Sequence, residues 1–134
     1  MELYIAPLAR AVERLDEALR RCQLDPGDLL IQDGLVQRFE FGFDLGCKAL
    51  RRCLGLASGD ARAAQAMDME TLIGLAHAQG LLPGDWSAWR LWSDLRAHTG
   101  HDGEEPMGPE VVAAVPRFVD ELRYLQRRLA GRVV

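Results

Sequence analysis

The chain has 134 residues, of which 49% are apolar and 27% charged. That is enough to bury one hydrophobic core, too little for two, and far from the composition of a disordered chain. A net charge of -4 excludes the general grip on phosphate backbones that strongly basic proteins have, although a local basic patch can oppose the global sign.

The N-terminus, Met1-Glu2-Leu3-Tyr4-Ile5, lacks the basic flank and apolar stretch of a secretory leader, and no apolar run approaches the ~20 residues of a membrane span. A soluble, cytoplasmic protein without membrane association is the expectation. Three cysteines, Cys22, Cys47 and Cys53, form no Cys-x-x-Cys pair, which points to reduced, buried thiols and not to a disulfide framework or zinc ribbon.

The first periodic segment runs from Leu3 to Cys22, with Leu8, Val12, Leu15 and Leu19 on one face of a helix. Asp25-Pro26-Gly27-Asp28 ends it, and either aspartate can accept backbone N–H bonds at a turn or helix start. No proline occurs from Asp28 to Leu56, and Leu35, Phe39, Phe43, Leu50 and Leu54 draw an apolar stripe beside Val36 and Cys47. This is the longest predicted helix, with Asp33 to Leu54 as its informative part, and it ends in Leu56-Ala57-Ser58-Gly59-Asp60. Ala61 to Ala66 is an alanine-rich connector that is helical or irregular by pattern.

A third helix is predicted from Asp68 to Gln79, with Leu72, Ile73, Leu75 and Ala76 inward and Gly80 as the left-handed residue at its end. Pro83-Gly84-Asp85 leads to a fourth helix, Asp85 to Thr99, capped by Asp85 and carrying Trp86, Trp89 and Trp92 beside Leu91 and Leu95. A polar loop, Gly100 to Gly108, precedes a last helix with Pro109 in its first turn and a stripe of Val111, Val115, Phe118, Leu122, Leu125 and Leu129. Pro116 inside it predicts a kink or a restart. With no strand-like alternation and no repeat, the reading is a single all-α domain over 1–134, an up-and-down bundle of four to five helices.

Catalytic motifs are few. There is no phosphate loop, no Gly-x-Ser-x-Gly turn and no His-Glu-x-x-His pair. His98 and His101 are interrupted by Gly100 and have no further ligand at a helical offset, so no metal site is assigned. His98 alone is a general base near neutral pH or a helix C-terminal cation. Glu40, Asp44 and Lys48 share a helix face, where an Asp44 to Lys48 ion pair is the plain expectation. Phe39, Phe41 and Phe43 put aromatics on more than one side of that helix, as a segment with two apolar partners requires, and Trp89 and Trp92 join them as core or dimer aromatics.

The segment Asp33-Gly34-Leu35-Val36-Gln37-Arg38-Phe39-Glu40-Phe41-Gly42-Phe43-Asp44-Leu45-Gly46-Cys47-Lys48-Ala49-Leu50 resembles the signature helix of the nucleotidyltransferase substrate-binding protein family, Asp-Gly-Leu-Ile-Gln-Arg-Phe-Glu-Phe-Thr-Phe-Glu-Leu-Ala-Trp-Lys-x-Leu. The likeness extends to Gln79-Gly80-Leu81 and to Leu95, His98 and Thr99. It implies a HEPN-type bundle that forms a homodimer and pairs with a separate minimal nucleotidyltransferase, commonly as a toxin–antitoxin system. Nucleotide and Mg are then expected only on the partner, with no cofactor on this chain, and nucleotide or RNA is left open as a further ligand. Related HEPN toxins cleave RNA without metal through an arginine and a histidine on one helix. Here the arginine position falls on Ser93, the asparagine on Asp94 and the tyrosine on Gly100, while Cys47 replaces the tryptophan, and Gly42 and Gly46 replace better helix formers at a cost of roughly 1 kcal/mol each in an exposed helix interior.

Three readings follow from these residues. The first is a binding subunit of a nucleotidyltransferase, with Gln37, Arg38, Glu40, Asp44, Lys48, Asp94 and His98 around a substrate or partner cleft. The second is a ribonuclease toxin using His98 with Arg38 or Arg96 in place of the missing arginine. The third is a dimeric scaffold without chemistry.

Overall fold

The computed structural model describes residues 2–99 and 108–131, and over these the chain is helical with no strand. Six helices follow one another: α1 (Glu2–Leu24), α2 (Leu29–Ser58), α3 (Ala61–Ala66), α4 (Met69–Ala78), α5 (Trp86–Thr99) and α6 (Gly108–Gly131). The count exceeds four to five because the alanine-rich connector forms a short helix, α3. Arg51 of α2 stabilises it, donating from Nη1 to the carbonyls of Ala64, Gln65 and Met67 that the helix end leaves without partners. No helix among the described residues is long and apolar enough to cross a membrane.

Local chemistry sets the boundaries. Asp28 caps α2 by accepting from the N–H groups of Leu30 and Ile31, and Gly59 ends it in a left-handed conformation, φ 74°. Asp60 caps α3 and Asp68 caps α4. The hydrogen bond from Thr71 holds the Asp68 carboxyl below its usual range, and that from Ser87 does the same for Asp85. Gly80, at φ 76°, is the predicted left-handed residue after α4, and Leu81 N–H closes the turn on the Ala76 carbonyl at 2.9 Å. The helix α6 runs unbroken through Pro116, so no restart occurs there. The predicted loop from Gly100 lies outside the described residues up to 107, whereas Gly108 already belongs to α6.

The three long helices α1, α2 and α6 pack against one another, and α4 and α5 cover the remaining side of α2. Leu8, Val12, Leu15, Leu35, Phe39, Leu50, Leu72, Ile73, Trp89, Val115, Phe118, Leu122 and Leu125 form the core. One apolar residue departs from expectation: Leu75, expected inward, is exposed, and Leu91 of α5 is exposed as well. Gly42 and Gly46 depart further, because both are buried against α6 and not in an exposed helix interior. A Cβ at Gly42 would lie 3.3 Å from Leu122 Cδ1, and one at Gly46 3.0 Å from Leu122 Cδ2. These glycines let α2 and α6 approach closely.

One charged side chain is inside. Glu121 is 3% exposed, and its Oε1 accepts from Gly84 N–H and from Trp89 Nε1–H, each at 2.8 Å. It joins the turn before α5, and α5 itself, to α6. Replacing Glu121 with alanine strands two buried donors at about 1–3 kcal/mol each. We expect Glu121→Ala to lose about 3 kcal/mol or more of stability in urea titrations, and Glu121→Gln, which keeps an acceptor oxygen, to lose clearly less.

Candidate functional site

The long helix α2 presents three faces. Phe39 and Phe43 point inward and join Trp89, Trp92 and Phe118 in an aromatic cluster with ring centroids 5.2–6.2 Å apart. Of the aromatics expected at core or dimer, four are core. Phe41 alone faces out, 58% exposed, on a solvent stripe with Gln37 and Lys48 at helical spacing. Arg38 lies on the α1 side, lining a groove with Arg14 and Arg21.

Between α2 and α5 the structure forms a charged cluster that spacing alone does not display. Arg96 Nε and Nη2 donate to the two carboxylate oxygens of Asp44, and Nη1 donates to Glu40 Oε2, all at 3.0 Å. This is a two-pronged fork with a third bond beside it, in partly buried surroundings. The hydrogen bond to Asp44 is the main cause that holds the Arg96 guanidinium above its ordinary range, with partial burial opposing and the charges of Asp44 and Glu40 adding. Asp44 is thereby used by α5, and the expected Asp44 to Lys48 pair does not form: among the described residues Lys48 has no ion pair.

His98 stands elsewhere. Two residues along an α-helix turn a side chain by about 200°, so His98 projects from α5 away from Arg96, on an exposed strip with Leu91 and Asp94. Its Nδ1 lies 2.7 Å from the Asp94 carbonyl. A carbonyl only accepts, so Nδ1 carries the proton and Nε2 is the nitrogen left for acid–base work. Of the seven expected cleft residues, Glu40 and Asp44 are brought together, through Arg96. Gln37 and Lys48 share the outer stripe of α2, Asp94 and His98 share that of α5, and Arg38 belongs to a third surface. His101 lies outside the described residues.

A family model described as nucleotidyltransferase substrate binding protein like matches residues 3–131. The chain belongs to this family. Among its relatives is a probable ribonuclease HepT of Haemophilus influenzae, 28% identical over 107 residues that cover 77% of this chain and 73% of that protein. The fold is also that of HI0074 of Haemophilus influenzae, whose structure is described as the substrate binding domain of a nucleotidyltransferase. That match has a TM-score of 0.81 at 23% identity and covers 94% of this chain and 98% of the other. In α2, Cys47 is buried at the position where the signature helix that this segment resembles has tryptophan. Burial pushes its thiol up to about 12, with Arg51 opposing and Asp44 adding.

Two measurements follow. Removing the guanidinium in Arg96→Met leaves Glu40 and Asp44 facing each other. Because the cluster is partly hydrated, we expect a modest destabilisation of about 1–2 kcal/mol that shrinks with added salt, read from urea midpoints at two ionic strengths. For Cys47 the folded pKa lies above the unfolded value, so the unfolded chain releases its proton first. Stability from this group is complete below about pH 9 and falls towards pH 12 by up to about 1.4 kcal/mol per unit. A Cys47→Ala variant should show a flatter alkaline slope than the parent, whatever its absolute stability.

Proposed function

We propose that this chain is the non-catalytic substrate-binding partner of a separate minimal nucleotidyltransferase, working as a cytoplasmic homodimer in a pair of toxin–antitoxin type, with nucleotide and Mg held by the partner. The observation that carries this reading is the state of the arginine nearest His98. Cleavage of a phosphodiester without metal needs a cation free to meet the charge developing on the phosphoryl oxygens, next to the acid–base group. Arg96 already donates from each of its three nitrogens to Asp44 or Glu40 and projects from a different side of α5 than His98. Arg38 lies on the far side of α2 beside α1, and the position of the motif arginine holds Ser93. The outward Phe41, between Gln37 and Lys48, supports contact with a second chain, since a large exposed aromatic amid polar residues is a usual anchor of such surfaces.

A second reading, an endoribonuclease using His98, is favoured by the name of the Haemophilus relative and by the exposed Nε2 of His98. The two separate in one set of assays. The purified protein and His98→Ala are incubated with RNA in the presence of EDTA, and the chain is co-expressed with any minimal nucleotidyltransferase encoded beside it. The partner reading predicts no His98-dependent cleavage and a stable co-purifying complex. Cleavage that disappears in His98→Ala, or a nucleotidyltransferase that never co-purifies, overturns it.

A further inference from the structure

Arg14, Glu17, Ala18 and Arg21 of α1 and Ile31, Gly34 and Arg38 of α2 line a groove of about 260 Å³. The two helices are joined by the short turn at Asp25–Asp28, so Arg21 and Ile31 lie at its near end and Arg14 and Arg38 face one another at its far end. Three arginines and one glutamate line it. Glu17 lies 3.4 Å from Arg21, while Arg14 and Arg38 have no hydrogen bond or ion pair among the described residues. Arg20 and Arg123 bind Asp16, Arg96 binds Asp44 and Glu40, and Arg51 and Arg128 bind carbonyls; among the arginines without such a partner, Arg14 and Arg38 stand together in lining one groove from two helices. In a chain of net charge -4, two arginines without a partner on the two walls of one groove leave positive charge uncommitted there.

We propose that this groove binds a small phosphate-bearing anion of the diphosphate class, with Arg14 and Arg38 gripping one end and Arg21 the other. Guanidinium forks match phosphate oxygens in pairs, which the compact charge of lysine does not. Seven residues of α1 from Arg14 to Arg21 span about 10 Å at about 1.5 Å per residue, the reach of a short phosphate chain and not of a long polymer. Acidic residues flank the arginines on both helices, at Glu13, Glu17 and Asp33, and interrupt the continuous basic track that RNA needs. The floor is open, for a Cβ at Gly34 would meet nothing within 4 Å. The inference concerns the isolated chain and does not depend on its having a nucleotidyltransferase partner.

The test is calorimetric titration of the purified protein with sodium pyrophosphate, free of divalent metal, at low and moderate salt. We expect saturable binding that weakens at least about tenfold in Arg14→Gln/Arg38→Gln. It should weaken comparably in Gly34→Leu, which fills the groove while improving helix propensity. Arg90→Gln/Arg117→Gln, on other surfaces, should bind as the parent does, and circular dichroism should be unchanged throughout. Absence of binding, an unaffected Arg14/Arg38 variant, or an equal loss in the Arg90/Arg117 variant overturns the proposal. So does an RNA oligonucleotide that displaces pyrophosphate at lower concentration than pyrophosphate itself requires, because it would assign the groove to a polymer.

Discussion

The arrangement of this protein depends on the close contact between α2 and α6 at Gly42 and Gly46. Leu122 occupies the space that side chains at those positions would take, with its two methyl carbons directed at the two glycines. One turn earlier, Phe118 reaches Phe39 and Phe43 across the same contact, at centroid distances of 5.2 and 6.2 Å. The residue before Leu122, Glu121, is carried inward and meets the Trp89 indole N–H, while Trp92 donates to the Ala114 carbonyl at 3.0 Å. The helix α5 is therefore fixed in rotation and height by two indole hydrogen bonds to α6. With Trp92 fixed, Arg96 one turn later falls opposite Asp44, the neighbour of Phe43. The charged cluster is a consequence of the aromatic one, and both rest on two missing side chains.

This ordering explains what could be read from the sequence. Periodicity reports which face of a helix is apolar, and caps and punctuation report where it ends, so the stripes of α1, α2 and α6, Asp28 as one of two candidate caps and the left-handed Gly80 were visible. Periodicity does not report which neighbour a face meets. Glycines in a helix look like a cost until a leucine from a segment 80 residues away is seen to fill the gap. Asp44 looks destined for Lys48 because both are on one helix, yet a partly buried fork to Arg96 has better geometry than an exposed pair along the same helix. Glu121 reads as one more surface acid of an amphipathic helix. Only the convergence of Gly84 and Trp89 on it shows that it is inside. The short α3 was ambiguous for a related reason: its pattern is weak, and Arg51, which satisfies its terminal carbonyls, belongs to another helix.

The signature stretch of α2 is thus divided by the fold among separate tasks. Leu35, Phe39 and Phe43 build the core, Gly42 and Gly46 admit α6, Glu40 and Asp44 hold α5, Phe41 with Gln37 and Lys48 faces outward, and Arg38 faces the α1 groove. A helix in which nearly every residue has a different neighbour has little freedom to vary.

The same division has an electrostatic consequence. Two carboxylates meet one guanidinium between α2 and α5, leaving that junction negative, whereas Arg14 and Arg38, without an ion pair among the described residues, line the groove between α1 and α2. A single helix separates them, so the molecule carries opposite local charge on opposite sides of α2 despite its modest net charge. An anion approaching the α5 side, where His98 is exposed, finds Arg96 already neutralised. One approaching the α1 side finds Arg14 and Arg38 uncommitted. Arg14 and Arg38 therefore lie on the side of α2 away from His98, whereas Arg96, two residues before His98, is held by carboxylates. The proposed anion binding on one side of α2 and the proposed partner contact along its outer stripe use separate surfaces of the same helix, so neither would block the other.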